Sequence, residues 1–251
     1  FLGAEAFNAK VVLIENVRGM ATLYGGKAKE QVVSEFQSLG YKVQTKILNA
    51  ANYGVPQHRH RLFFIATKTE VDFQWPDEIT GEDNYVTCED ALSDLPSMNN
   101  MPYDDSADYA TEPKNQYQHL MRENSVLAQN HKITIHKPFV IETIRQVPEG
   151  GNYKDLPKGV GESRKFNEAW TRYHSKRPSR TIDTGHRNHF HYKYDRVPTV
   201  RENARLQSFP DNFIFEGSKT QQNKQVGNAV PVLLAKHVAD SIKRMLNHED
   251  H

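Results

Sequence analysis

Apolar residues form short runs near both ends of the chain, and these runs predict strands and helices. Residues 11–14, Val-Val-Leu-Ile, are an uninterrupted apolar run, which is typical of a strand buried on both faces in a parallel sheet. Residues 28–39 carry apolar side chains at helical spacing, and Gly40 favours a helix that ends there. Residues 41–48 and 62–66 predict two further strands, so this part of the chain indicates the edge of an α/β sheet.

The middle of the chain lacks a long periodic segment. Residues 68–198 are rich in Pro, Asn, Asp and His, which predicts a smaller irregular domain with a helix near residues 88–95. Regular structure returns at Thr199, because Thr199 and Glu202 have the spacing of a capping box. A final helix is predicted from about Pro231, and its apolar stripe needs a sheet to cover.

Charge is unevenly distributed, although the formal net charge is only +1. Residues 71–112 contain twelve acidic residues and no lysine or arginine, whereas residues 158–205 contain twelve lysines and arginines against five acidic residues. Either both segments are solvated faces, or the second attracts a polyanion that the first repels. No apolar run approaches the roughly 18 residues of a membrane span, so no membrane partner is expected. The single cysteine, Cys88, excludes disulfides within the chain and fits a reducing, cytoplasmic setting.

The most informative residues directly follow the first predicted strand. Glu15-Asn16-Val17 places a carboxylate at the C-terminal end of that strand, where open α/β sheets bind their ligands. By itself, this tripeptide is also typical of a simple strand-end cap.

Three further blocks follow along the chain. The first, residues 49–61, ends in Gln57-x-Arg59-x-Arg61 and runs directly into a predicted strand. Because alternate residues of a strand point to the same face, Arg59 and Arg61 are predicted to aim at one pocket. The other two blocks are residues 201–211, Arg-Glu-Asn-Ala-Arg-Leu-Gln-Ser-Phe-Pro-Asp, and residues 225–231, Gln-Val-Gly-Asn-Ala-Val-Pro.

In this order, the four blocks resemble the later motifs of the cytosine-5 DNA methyltransferase family. The resemblance covers roughly residues 10–67 and 177–246 by motif, and the middle by position only. It implies the C-terminal part of a Rossmann-like, S-adenosylmethionine-dependent α/β methyltransferase fold with a smaller, irregular target-recognition domain. Residues 1–70 and 217–251 would then belong to the catalytic domain, and residues 71–216 to the target-recognition domain.

The resemblance also implies the chemistry of the site. Glu15 matches the acid that hydrogen-bonds N3 and the exocyclic amine of a cytosine flipped out of double-stranded DNA, while a thiolate adds to C6. Arg61, with Arg59 beside it, matches the arginine that donates to O2 and stabilises developing charge. The turn formed by Asn228, Ala229 and Val230 is expected beside S-adenosylmethionine, with most of the cofactor site in an N-terminal part. A plain helix N-cap is the other interpretation of Asn228.

Two early motifs of the family are absent from this sequence: the Phe-x-Gly-x-Gly turn that cradles the cofactor and the Pro-Cys loop that carries the nucleophile. Cys88 does not replace that cysteine, because its acidic neighbours Glu89 and Asp90 disfavour a thiolate. We therefore expect further sequence ahead of Phe1 and no methyltransferase activity from this chain alone.

Several kinds of protein remain open on this evidence. The N-terminal half is expected as a partner, either in the same chain or as the other subunit of a split enzyme. The alternative from a different class is a non-catalytic DNA-binding partner or regulatory subunit with the same fold. RNA as the substrate also remains open, although the long recognition-like middle favours double-stranded DNA.

Contacts with the duplex are predicted from the basic segment. Four arginines are candidates for phosphate or guanine contacts: Arg164, Arg172, Arg180 and Arg187. The same segment contains the pattern His-x-x-His-x-His at His186, His189 and His191. No cysteine lies nearby and there is no second cluster, so we predict loop histidines near DNA and no metal site.

Overall fold

The computed structural model describes residues 1–160, 169–185 and 188–249. Its first part contains α1 (Leu2–Ala6), β1 (Val11–Val17), α2 (Lys27–Ser38), β2 (Lys42–Asn49) and β3 (His60–Thr67). The helix and the three strands that the sequence predicts in this part are therefore present.

The second part is built mainly of short elements. They are α3 (Cys88–Leu92), β4 (Ser106–Ala107), α4 (Gln116–Arg122), β5 (Ala128–Gln129), α5 (Pro138–Gln146), β6 (Thr171–Arg172), β7 (His189–Phe190), α6 (Val200–Leu206), α7 (Lys219–Asn228) and α8 (Val232–Glu249). The described elements in the middle of the chain are short, as its predicted irregularity implies. Among the described helices, none has both the length and the apolar character that crossing a membrane requires.

β3 lies at the centre of a three-stranded sheet of order β1-β3-β2 and runs antiparallel to both neighbours. The predicted parallel pairing is therefore wrong for these strands. Residues 50–59 return the chain directly from β2 to β3, and a connection this short joins antiparallel strands, since parallel strands need a longer crossover. β1 forms an edge at which Leu13 and Val17 are 44% and 56% exposed, so it is not buried on both faces as predicted.

Two helices cover the sheet, one on each face. Phe36 of α2 packs against Tyr41 and Ala66 on one face. On the opposite face, Phe63 and Ile65 of β3 form a core with the apolar side of α8, which contributes Leu234, Val238 and Met245. This is the packing that the apolar stripe of the final helix predicts.

The predicted start of α6 is confirmed by its hydrogen bonds. The Glu202 N–H donates to Thr199 Oγ1 at 3.1 Å, and the Thr199 N–H donates to the Glu202 carboxylate at 2.7 Å. Helix α7 was not predicted, because its residues are mostly polar and form no apolar stripe. Ser218 and Gln221 nevertheless form a capping box at its N-terminus, which is the signal that the sequence carried.

A third core joins the middle of the chain to the C-terminal helices. Cys88, Tyr173, Leu206, Phe215 and Val226 all belong to it. Because its members lie on both sides of residue 216, this core crosses the expected boundary of the target-recognition domain. The domain bounds remain a prediction.

The acidic and basic segments are not two separate faces. Arg205 of the basic segment pairs with Asp94 of the acidic segment at 3.1 Å, and Lys176 pairs with Glu89. Arg205 and Asp94 are fully buried. Part of the charge asymmetry is therefore neutralised inside the fold, where it attracts no polyanion.

Candidate active site

Glu15 and Arg61 meet at the edge of the sheet. In the antiparallel register Arg61 lies opposite Val17, and Glu15 is two residues before Val17 on the same strand face. The two side chains are therefore diagonal neighbours, and Arg61 Nε lies 2.9 Å from Glu15 Oε1. Their side chains are 13% and 22% exposed, so the pair is held by the fold and still reachable from outside.

This pair retains hydrogen-bonding capacity. Arg61 Nη1 donates to the His60 carbonyl at 2.9 Å. Glu15 Oε1 is buried against Arg61 Nε, so a further group can reach this pair only at its other polar atoms. Burial lowers the pKa of Arg61, and the neighbouring Glu15 opposes that shift. A carboxylate and a guanidinium thus lie side by side, and both can bind a further polar group.

Arg59 is placed differently from the prediction. It is 2% exposed and donates inward, from Nη1 to the Ile182 carbonyl at 3.0 Å and from Nη2 to the Gly227 carbonyl at 2.8 Å. Burial lowers the pKa of Arg59 to about 10, and the nearby Arg61 adds to the shift. Arg59 and Arg61 therefore do not aim at one pocket, because buried carbonyl groups bind the Arg59 guanidinium.

Gln57 is also directed inward. Its Oε1 accepts a hydrogen bond from the Ile182 N–H at 3.0 Å, and its Nε2 donates to the Leu206 carbonyl at 3.1 Å. The neighbouring His58 N–H donates to the Ser179 carbonyl at 2.8 Å. The segment before β3 is therefore bonded to residues 179–182 and to the end of α6. In the sequence, the signal for this role of Gln57 is its motif position, two residues before Arg59.

The expected cofactor turn connects α7 to α8. Asn228 is the last residue of α7, so the interpretation that it caps the final helix is wrong. Gly227 packs against the backbone of Asp183 so closely that a Cβ would lie 2.3 Å from the Asp183 carbonyl oxygen. Asn228 is exposed, and Ala229 and Val230 are partly buried beside it. An exposed side-chain amide at a tightly fixed turn is compatible with the polar groups of S-adenosylmethionine.

A family model for C-5 cytosine-specific DNA methylases matches residues 4–244. The chain belongs to this family. It is 37% identical over 244 residues to the Type II methyltransferase M1.HphI of Haemophilus parahaemolyticus. This match covers 96% of this chain and 58% of that protein. It is 33% identical over 262 residues to M.DdeI of Desulfomicrobium norvegicum, with 94% and 63% covered. The methylase chain thus spans about three fifths of the length of these curated relatives.

Solved structures with a similar fold include a candidate DNA modification methyltransferase encoded within an Escherichia coli prophage. It matches with a TM-score of 0.77 at 22% identity, over 97% of this chain and 72% of that chain. The Dnmt2 methyltransferase of S. pombe matches with a TM-score of 0.55 at 16% identity, over 95% of this chain and 67% of that chain. The predicted Rossmann-like methyltransferase fold is confirmed.

Of the four arginines proposed to contact DNA, the structure describes two. Arg172 is buried and donates to the Ile144 carbonyl at 2.6 Å and to Asp195 at 2.8 Å. Its guanidinium is therefore bound inside the methylase fold, and this placement does not fit a DNA contact. Arg180 is exposed. Arg164 and Arg187 lie outside the described residues.

Arg180 lines a cleft of about 650 Å³ between the segment before β3 and the middle of the chain. Basic side chains share this cleft: His58, His174, Lys176 and Arg177. Lys176 and Arg177 are not among the four predicted arginines, and the sequence signal for them is the local density of positive charge in Lys176-Arg177-Pro178-Ser179-Arg180. The acidic residues Glu82 and Asp83 also line this cleft.

Two histidines of the His-x-x-His-x-His pattern and Cys88 lie in surroundings that favour a structural role. His191 accepts hydrogen bonds at Nδ1 from the N–H groups of Lys193 and Tyr194, at 2.9 and 3.2 Å. His189 stacks on Tyr173 with ring centroids 5.4 Å apart, and His186 lies outside the described residues. Cys88 is fully buried, and this burial raises the pKa of its thiol, which favours a structural cysteine.

Proposed function

We propose that this chain forms the C-terminal part of a DNA cytosine-5 methyltransferase of the restriction–modification type. The observation that supports this most directly is the pair of Glu15 and Arg61 at the reachable end of β1. The family implies an acid and an arginine around one cytosine, and the fold brings together the two side chains whose motif positions match them. Relatives that are named Type II methyltransferases support the same reaction.

In this proposal, the two side chains stabilise the charge that develops on the base. When a thiolate adds to C6, electron density moves toward N3 and O2. In its protonated form, Glu15 gives its carboxyl proton to N3 while its other oxygen accepts a hydrogen bond from the exocyclic amine, and general acid catalysis of this kind is typically worth about 10²–10⁴ in rate. Arg61 donates to O2, where its fixed position avoids reorganisation during the reaction.

The cofactor of the family is S-adenosylmethionine, which supplies the methyl group when it is bound. In this chain, the turn of Asn228, Ala229 and Val230 would hold one edge of it. The Asn228 amide is exposed at the end of α7, and the tight contact at Gly227 fixes the backbone of the turn. The remaining cofactor contacts would come from an N-terminal part.

We further propose two partners, double-stranded DNA and the N-terminal half of the enzyme. Cytosine C5 is reached only when the base leaves the duplex, so a base-flipping mode is implied. The exposed apolar side chains Leu13 and Val17 at the β1 edge fit a surface that an N-terminal part covers. That part belongs either to the same chain or to a separate subunit, and we propose a bacterial cytoplasmic location for both arrangements.

The second candidate function is a non-catalytic DNA-binding or regulatory subunit. The basic cleft around Arg180 favours it as much as it favours an enzyme. The Glu15–Arg61 pair favours the enzyme, because a binding module needs no acid beside an arginine in a partly buried position.

The test is incorporation of tritium from labelled S-adenosylmethionine into duplex DNA of mixed sequence. We expect none from this chain alone, and incorporation at cytosine when the chain is combined with an N-terminal half that carries a Pro-Cys motif. Arg61→Lys should reduce the rate of the assembled enzyme, whereas Arg145→Lys, at an exposed arginine of α5, should not. Incorporation by the chain alone would contradict the proposed division of the site, and an inactive assembly that still binds DNA would favour the second candidate.

A further inference from the structure

We infer that Arg59 is a positioning residue that fastens the turn at residues 227–230 and the segment at residues 182–184 to the start of β3. As an inference about the reaction it rests on the proposed function, but the contacts that carry it do not. Within the described residues, Arg59 forms no hydrogen bond with Glu15 or Arg61. It would connect the cofactor side of the site to the cytosine side.

The guanidinium of Arg59 bridges two segments that are distant in sequence. One Nη group binds the Ile182 carbonyl and the other binds the Gly227 carbonyl, at 3.0 and 2.8 Å. Both contacts are buried, so each carbonyl would lose its partner without access to water if Arg59 were shortened. Hydrogen bonds from a charged donor are roughly twice as strong as neutral ones, which suits a group that must hold two backbones at once.

A glutamine pair reinforces the same connection. Gln57 Nε2 donates to Gln207 Oε1 at 3.1 Å, and Gln207 Nε2 donates to the Val226 carbonyl at 2.6 Å. Val226 directly precedes Gly227 in α7. The end of α7 is therefore bonded to the segment before β3 by two routes, one through Arg59 and one through the two glutamines.

The contact between the two bridged segments leaves no space for adjustment. A Cβ at Gly227 would lie 2.3 Å from the Asp183 carbonyl oxygen and 2.7 Å from the Thr184 nitrogen. Both of those atoms are backbone, so they cannot rotate away as a side chain would. A displacement of either segment is consequently transmitted to the other, and through Arg59 to the strand that carries Arg61.

Hydrogen exchange of the protein followed by mass spectrometry tests the connection directly. In Arg59→Lys, the shorter ammonium cannot reach both carbonyl groups, so exchange should rise about tenfold in peptides that cover residues 182–184 and 227–230. Peptides of β1 should be unchanged. Gly227→Ala disturbs the same contact from the other side and should loosen the same two segments.

Arg196→Lys is the matched control, because Arg196 is also buried but pairs with Glu202 in another part of the fold. It should leave exchange at residues 227–230 unchanged. The inference is overturned if Arg59→Lys loosens only one of the two segments, leaves both unchanged, or raises exchange throughout the chain as a general loss of stability would.

Equilibrium dialysis with S-adenosylmethionine then links the connection to the site. In the assembled enzyme, Arg59→Lys should weaken cofactor binding about tenfold, whereas Arg61→Lys should leave it near the parent value. Equal cofactor affinity in Arg59→Lys and the parent would overturn the positioning role. An assembled parent that binds no S-adenosylmethionine would instead contradict the proposed function, while the exchange experiment still decides whether Arg59 connects the two segments.

Discussion

Two arginine-rich motifs of this chain have opposite surroundings. At the sheet edge, Arg61 and Glu15 form the edge pair, in which both side chains remain partly exposed. Around α6, Arg205 is fully buried and binds Asp211 through two hydrogen bonds of 2.6 Å, with Asp94 as a second partner. We call Arg196, Arg201, Glu202 and Arg205, together with Asp94 and Asp211, the helix network.

The difference lies in how completely the charges are satisfied. Burial alone lowers the pKa of Arg205, but Asp211 and Asp94 outweigh it, so the pKa of Arg205 is raised. Likewise, Arg196 overcomes the effect of burial and lowers the pKa of Glu202. The side chains of the helix network are 0–6% exposed, whereas those of the edge pair are 13% and 22% exposed. The helix network is thus a closed structural unit, whereas the edge pair can still bind a ligand.

Removing the central charge of the helix network should have the largest effect. Arg205→Met removes the cation that Asp94 and Asp211 share and leaves them only the more distant Arg122 and Arg201, at 3.5 and 3.8 Å. This should lower the free energy of unfolding by about 3–5 kcal/mol. Urea denaturation measures the change. Arg145→Met removes an exposed arginine with ion pairs to Glu142 and Asp195 and should cost at most about 1 kcal/mol. Equal losses in the two variants would remove the distinction between closed and open arginine sites.

A buried histidine beside the helix network, His191, predicts how stability depends on pH. Burial lowers the pKa of His191 to about 3, although Glu202 opposes the shift. In the unfolded chain, the His191 imidazole binds a proton below about pH 6.5, whereas in the folded chain it does so only near pH 3. Stability should therefore fall as the pH drops from about 6.5 toward 3, by up to about 1.4 kcal/mol per pH unit.

Replacing the histidine isolates this contribution. In His191→Gln, the free energy of unfolding should depend less steeply on pH between about pH 6.5 and 5, by an amount that corresponds to at most one bound proton. The reason is that glutamine does not titrate. His248→Gln, at an exposed position of α8, should leave the slope unchanged. A slope in His191→Gln as steep as in the parent would show that this buried histidine is not the titrating group.

A smaller effect is expected from a substitution in the basic cleft. Arg180 is exposed and lines the basic cleft. If it contacts a phosphate, Arg180→Gln should flatten the plot of log K against log salt for duplex DNA by about 0.9, with the fold unaffected. Arg172→Gln should not flatten the salt dependence in this way, because that guanidinium is bound inside the fold. Parent-like slopes for Arg180→Gln would place the duplex elsewhere.

The sequence carried enough information to bring the edge pair together. Glu15 follows one strand and Arg61 begins another, and the motif resemblance placed both at one cytosine. Strand alternation also suggested a common face for Arg59 and Arg61. It did not reveal that Arg59 is buried, because that depends on Ile182 and Gly227, which lie 123 and 168 residues further along the chain.

The same limit explains the basic segment. A count of charges along the chain cannot separate Arg205 from Arg180, since one of the two carboxylates that bind Arg205, Asp94, is 111 residues away. An apolar run does not record the direction of its neighbours, so the only local sign of the antiparallel order was the short connection between the second and third strands. Local signals did suffice where both partners lie within one turn, as in the capping box of Thr199 and Glu202.

The most direct test of the central claim, that the edge pair is the cytosine site, is single-turnover methyl transfer by the assembled enzyme with Glu15→Gln. Glutamine keeps the size of the side chain but cannot supply a proton to N3, so we predict intact DNA binding and a rate at least about a hundredfold lower. A rate close to that of the parent, with both proteins saturated with DNA and cofactor, would contradict the assignment of Glu15 to catalysis.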